Sequence, residues 1–144
     1  MIALDTQILV YAHREDSPFH ERAESVVAEL VQGAAPWAIP WPVLHEFLAV
    51  VTHPRIYRPA SSTDQAFAFL ESLTEAPGLR LLSEGPAHLA ELEEIARAGK
   101  MSGAAFHDAR IAALCVGHAV KELWSADRDF SRIRGLKVRN PLTT

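Results

Sequence analysis

Ile2-Ala3-Leu4-Asp5-Thr6-Gln7 is the stretch from which the fold reads: a brief apolar run ending in an acid. The same kind of run returns along the chain as Trp37-Ala38-Ile39, Leu79 to Leu82, Leu123-Trp124 and Leu136-Lys137-Val138. The segments between these runs carry helical periodicity. Ser17-Pro18 reads as an N-cap and first helical residue, followed by Ala23, Val26, Val27, Leu30 and Val31 and stopped by Gly33. Pro40 and Pro42 frame a helix with the stripe Leu44, Phe47, Leu48 and Val51. Ser62 and Gln65 form a capping-box pattern ahead of Ala66, Phe69, Leu70 and Leu73, and Pro77-Gly78 breaks that helix. Leu89, Leu92, Ile95 and Ala96 make another helix that Gly99 ends. A last helix, capped by Ser102 and running to about His118, is apolar nearly all round and is expected to be buried on several sides. Strands alternating with helices predict a parallel sheet covered on both faces, a three-layer α/β/α architecture. No repeat, low-complexity segment or long linker divides the chain, so one domain over residues 1–144 is expected.

Composition narrows the classes. The chain has 144 residues, 49% hydrophobic and 22% charged, an ordinary globular balance. A single cysteine, Cys115, excludes an internal disulfide framework and a cysteine-based zinc site; inside an apolar helix it reads as a small core residue. No stretch reaches the ~18 apolar residues of a membrane span. Asp5 falls where a secretory signal would carry its apolar region, so a cytoplasmic location is expected. The net charge of −4 argues against non-specific nucleic-acid binding by the whole surface, while leaving room for local positive charge.

Position singles out certain acids. Asp5 ends the first apolar run, Glu46 lies early in the helix after the second, and Asp127 and Asp129 follow the fourth. In an open parallel sheet these places face the crevice beyond the carboxyl ends of the strands. Asp108 reaches the crevice only if its helix turns its N-terminal end that way. Asp5, Glu46 and Asp108 also have apolar neighbours, and carboxylates on apolar elements must be paired, hydrogen-bonded or metal-bound. Carboxylates sharing a cleft raise each other's pKa, and a divalent cation removes the repulsion. An all-oxygen site of this kind suits magnesium or manganese, which can polarise a phosphoryl oxygen and activate water. Each acid alone has an ordinary reading: Asp5 as a turn residue or helix N-cap, Glu46 as a solvated helix residue, Asp108 as a satisfied helix-interior acid, and Asp127 and Asp129 as an exposed acidic turn. Their placement on one crevice edge favours a site.

These segments resemble a known family. Ile2 to Tyr11, Leu44-His45-Glu46-Phe47, Phe106-His107-Asp108-Ala109 and Ser125-Ala126-Asp127-Arg128-Asp129-Phe130 are similar, in order, to the acidic motifs of the PIN domain. Val50-Val51-Thr52-His53-Pro54-Arg55 further resembles the VapC toxins of bacterial toxin–antitoxin pairs. The resemblance spans residue 2 to about residue 141 and implies a PIN-like domain with a short, mainly parallel five-stranded sheet. It also implies a magnesium-dependent endoribonuclease, with manganese as a substitute metal. Metal-holding and catalytic roles fall on Asp5, Glu46, Asp108 and Asp127, with Asp5 and Asp108 as the firmest ligands. Thr6 and Ser125 would orient water or phosphate, and Asp129 would join the cluster. Gln7 departs from the asparagine usual at that place. The resemblance implies a homodimer and a cognate antitoxin that would insert a helix or tail near the cleft, presenting an arginine to the carboxylates.

An RNA substrate needs positive charge. Residues 128–139 carry Arg128, Arg132, Arg134, Lys137 and Arg139 against Asp129 alone, and Arg128, Arg132 and Arg134 are candidate RNA-backbone contacts. Arg55 and Arg58, in a loop with two prolines, would extend that track; a solvated arginine-rich terminus is the plain alternative. Trp37, Trp41 and Trp124 read as core or interface residues rather than base platforms. His45 and His107 each precede a candidate ligand and point elsewhere on their helices, so neither reads as a general base. Three other readings compete. A non-catalytic PIN-like binding or regulatory module would have no need of the acids. A receiver-like phospho-acceptor needs an aspartate after the third strand, where Leu81-Leu82-Ser83-Glu84 stands. A phosphatase with a nucleophilic aspartate needs Asp-x-Asp, where Asp5-Thr6-Gln7 stands.

Overall fold

A computed structural model describes residues 1–128, 130 and 133–143. Its elements are β1 (Ile2–Leu4), α1 (Thr6–His13), α2 (His20–Gln32), β2 (Trp37–Pro40), α3 (Trp41–Val51), α4 (Thr63–Thr74), β3 (Leu79–Leu82), α5 (His88–Ala98), α6 (Ala105–Gly117), β4 (Glu122–Trp124) and β5 (Lys137–Arg139). The strands form one sheet in the order β3-β2-β1-β4-β5. Every pairing is parallel. Helices cover both faces, giving the three-layer α/β/α architecture that the alternation predicts. The chain builds outward from β1 to β2 and β3, then returns to place β4 on the other side of β1. The strand order therefore reverses between β1 and β4, which is where open α/β sheets bind ligands.

All five strands fall where the short apolar runs predict them, to within a residue or two. Ala3, Leu4, Trp37, Ala38, Ile39 and Leu123 have no exposed surface, as expected of short strands covered on both faces. Phe47 lies fully buried against the rings of His13 and Phe69 at 5.4 and 5.3 Å between centroids. The predicted capping box is present on α4: Ser62 Oγ accepts from the Gln65 N–H at 3.1 Å, and Gln65 Oε1 accepts from the Ser62 N–H at 2.9 Å. Gly33 and Gly99 end α2 and α5 as predicted.

The sequence reading differs from the structure in four places. It assigns no element to Thr6–His13, which folds as α1. Ile8 and Val10 in that segment are β-branched and of modest helix propensity, and burial of Ile8, Leu9, Val10 and Ala12 decides its conformation. Ser17 caps a turn rather than α2: its Oγ accepts from the Phe19 N–H at 3.1 Å, and the helix begins at His20. Ser102 likewise stands ahead of α6, contributing its carbonyl to the Ala105 N–H rather than a side-chain cap. Finally, α6 is buried along Ala109 and Ile111 to Cys115, whereas Phe106 and Val116 are 44% and 38% exposed. No helix among the described residues is long and apolar enough to cross a membrane.

Candidate active site

The crevice at the strand-order reversal starts with Asp5, the first residue past β1. Its backbone N–H donates to the Trp124 carbonyl at 3.0 Å, which carries the β1–β4 pairing one step beyond the strands. Ser125, the first residue past β4, is held in turn by the Arg139 carbonyl at 2.9 Å. Two strand ends thus bring together residues 120 positions apart. The Ser125 hydroxyl donates to Asp5 Oδ2 at 2.6 Å in a buried contact. The same Oγ accepts from the Asp127 N–H at 2.9 Å, fixing the turn that carries Asp127. Asp5 Oδ1 accepts from the Thr6 N–H at 2.8 Å and caps α1. Asp5 is therefore both the helix cap of its ordinary reading and the centre of the crevice.

Asp5 is 5% exposed. Burial, the largest influence, raises its carboxyl from 3.8 to about 6. The hydrogen bonds from Ser125 and Thr6 pull the other way, and the charges of Glu46 and Asp127 push it further up. Acids of two other segments thus act on Asp5 across the crevice. Glu46 is exposed on α3, and Asp127 is half-buried. Cys115 lies behind the site within electrostatic reach of Asp5; burial pushes its thiol up to about 12, so it is a core residue and no nucleophile.

Asp108 occupies the first turn of α6. Because α6 leads directly into β4, it runs antiparallel to the strands and turns this end toward their carboxyl edge. There Asp108 lines a cleft of about 380 Å³ with Lys100, Ser102 and Ala104. Glu46 and Asp127, among the described residues, are carboxylates that act on Asp5. Among the described residues no three His, Cys, Asp or Glu side chains close to metal-binding distance of one another. Asp5, Glu46 and Asp127 meet at electrostatic range rather than as a closed cage.

The donor chemistry nevertheless suits a hard cation. The Thr6 hydroxyl, beside Asp5, is buried and has no hydrogen-bond partner among the described residues. An orphaned buried oxygen is costly unless something outside the chain uses it. Among the described residues, the groups around the buried Asp5 carboxylate include the Thr6 and Ser125 hydroxyls and the carboxylates of Glu46 and Asp127, all oxygen donors.

The basic residues divide. Arg128, directly after Asp127, is exposed beside the crevice. Arg134 lines a cavity of about 180 Å³ with Glu91, Glu94, Gly99 and Val116. Lys137 and Arg139 lie 3.9 Å from Glu122. The 11 residues of α3 carry the chain roughly 16 Å back from the crevice edge. Arg55 and Arg58 follow it toward the other edge of the sheet and do not extend the track along the crevice. Asp129 and Arg132 fall outside the described residues. Of the tryptophans, Trp37 and Trp124 are buried as expected, but Trp41 is 40% exposed at the start of α3.

Comparison with known proteins agrees with this architecture. The PIN domain family model matches residues 2–136. The chain belongs to the PIN-domain family. Its relatives narrow the placement: it is 31% identical over 139 residues to Ribonuclease VapC48 of Mycobacterium tuberculosis, covering 96% of each chain. It is 35% identical over 143 residues to Ribonuclease VapC31 of the same species, covering 99% of this chain and 100% of that one. These relatives place it among the VapC ribonucleases. The fold superposes on VapC20 of M. tuberculosis, described as a sarcin-ricin loop cleaving toxin, with a TM-score of 0.68 at 18% identity, covering 96% of this chain and 99% of that one. VapBC2 from Rickettsia felis, solved with a promoter DNA fragment, gives 0.69 at 19% identity, covering 96% and 98%.

Proposed function

We propose that this chain is a magnesium-dependent endoribonuclease and the toxin of a toxin–antitoxin pair. The observation that carries the reading is Asp5: a carboxylate buried at the strand-order reversal, pushed up to about 6, with Glu46 and Asp127 acting on it and beside it a buried hydroxyl that has no partner among the described residues. Asp5, Glu46, Asp108 and Asp127 are the residues that would hold the metal, and Thr6 and Ser125 would orient its water or the phosphate. A bound magnesium supplies charge neutralisation on a phosphoryl oxygen and an activated water, and manganese would serve in its place.

The chain's own residues prepare the crevice. Ser125 keeps Asp5 ionisable by donating to its Oδ2, and the same hydroxyl fixes the Asp127 turn. The Thr6 N–H holds Oδ1, so the carboxylate cannot rotate away. Arg128, exposed beside Asp127, contacts the RNA backbone and offsets the crevice's negative charge. The partner proposals rest on likeness to VapC and VapBC proteins: a second copy of this chain, and an antitoxin whose arginine would meet the carboxylates and block the crevice. The site of action would be the cytoplasm.

RNA cleavage by purified protein tests the reading. Activity is expected with magnesium, and loss is expected with EDTA and in Asp5→Asn and Asp108→Asn. Variants that cut as well as the parent would refute the assignment of the acids. A protein inert toward RNA at every magnesium concentration, yet still binding its partner, would favour the non-catalytic module.

A further inference from the structure

We propose that Trp41, with His45 one turn further along α3, is a stacking platform for an unpaired nucleobase of the RNA substrate. The inference rests on the ribonuclease reading and adds one contact to it, between the Trp41 and His45 rings and a base of the substrate. Trp37 is fully buried, and Trp124 is covered, with its indole N–H bonded to Glu122 at 2.9 Å and the Arg139 guanidinium 5.4 Å from its ring. Trp41 is different. It is 40% exposed, and its neighbour His45, also exposed, holds its ring 6.0 Å away at 35°. The two rings form an aromatic surface that the described protein leaves open.

Its position follows from the sheet register. Ile2 pairs with Trp37 and Ala3 with Ala38, so continuing the register sets Asp5 level with Pro40 and Thr6 level with Trp41. Neighbouring strands lie ~4.8 Å apart, which starts α3 at the rim of the crevice. Glu46, next to His45 in the chain, is one of the acids acting on Asp5. A base splayed out of a single strand offers a π-face whatever its identity, whereas the bases of an A-form duplex stay stacked inside it. Stacking also needs no charge, which matters beside a crevice of carboxylates.

The test uses the tryptophan itself. In EDTA, where cleavage is expected to be lost, the protein is titrated with a single-stranded oligonucleotide while intrinsic fluorescence and the anisotropy of a labelled RNA are followed. Quenching is expected with the single strand and little with a duplex of the same sequence. Trp41→Phe should lose the quench but keep affinity. Trp41→Ala should bind about 5–150-fold more weakly, and in the cleaving parent its loss should fall on KM rather than kcat. The platform is overturned if Trp41→Ala keeps the parent KM. It is equally overturned if Trp41→Ala dissociates a dimer while RNA affinity per subunit is unchanged, because Trp41 would then pack against a second copy. A parent that cuts no RNA would refute the nuclease reading alone, and the quench would still decide the platform.

Discussion

Replacing Asp5 by asparagine separates what the acid costs the fold from what it does in the crevice. The folded carboxyl releases its proton at about 6, against an ordinary value of 3.8, chiefly because it is buried. Between about pH 4 and pH 6 the folded protein holds a proton that the unfolded chain has released, so stability falls as pH rises through that window. The contribution is fully present below pH 4 and gone above pH 6. At about 1.4 kcal/mol per pH unit, it is worth about 3 kcal/mol for this group. Asparagine is neutral throughout and nearly the same shape. In EDTA at pH 8, Asp5→Asn should therefore be more stable than the parent by up to about 3 kcal/mol, or roughly 10 °C in Tm for a chain of this length. At pH 4 the difference should close, because the parent's Asp5 is then protonated. Magnesium should stabilise the parent at pH 8 and leave the variant nearly unmoved. Urea and thermal unfolding at the two pH values measure all of this. A variant less stable than the parent at pH 8, or a gap of equal size at pH 4, would refute the argument that the buried charge strains the fold.

Other perturbations probe the same arrangement. Ser125→Ala removes a hydrogen bond to a charged oxygen, worth about 1.5–3 kcal/mol, so the acid limb of kcat/KM against pH should move up by about one to two units. An unmoved limb would mean that Asp5 does not govern it. Arg128→Ala should lower the slope of log affinity against log salt by about one, with no change in unfolding midpoint. Phe47→Ala, which empties a fully buried ring site between His13 and Phe69, should cost about 3–5 kcal/mol in urea unfolding.

The strands were legible because short apolar runs bounded by turns and helices leave few alternatives, and four of the helices because their stripes and breakers agree. The segment after Asp5 was not. Ile8, Leu9 and Val10 are as apolar as a strand, and only tertiary burial makes them α1. Asp5, Glu46 and Asp127 were legible as a group because a parallel sheet sends its strand ends to one edge. The hydroxyl network was less so: nothing local announces that Ser125, 120 residues away, will donate to Asp5. The neighbourhood of Arg134 was no more legible: nothing local in the run of arginines announces that it will line a cavity with Glu91 and Glu94. Trp41 reads from the sequence as a core or interface residue, and its 40% exposure sets aside the core half of that reading. Its place at the first position of α3, with His45 four residues on, puts both rings on one helix face.

How an acidic protein holds a polyanion then becomes a question of which charges remain available. The molecule carries −4 overall. Arg14 is bound to Asp16 at 2.6 Å, Arg97 to Glu93 at 3.1 Å, and Lys137 and Arg139 face Glu122. Among the described residues, Arg128 is exposed beside Asp127, and Lys100 lines the cleft that holds Asp108. These two cations stand against the carboxylates of Asp5, Glu46, Asp108 and Asp127. On the proposed reading, a cation shared between the carboxylates and a phosphate, and an aromatic face for a base, would add affinity that the crevice's charge does not oppose. The two respond differently to salt. The cation bridge and Arg128 weaken as ionic strength rises, while stacking on Trp41 persists. Raising salt should therefore narrow the difference between the parent and Arg128→Ala and leave the difference between the parent and Trp41→Ala nearly constant. If both differences shrank together, Trp41 would be acting through the electrostatics of the crevice and not through its ring.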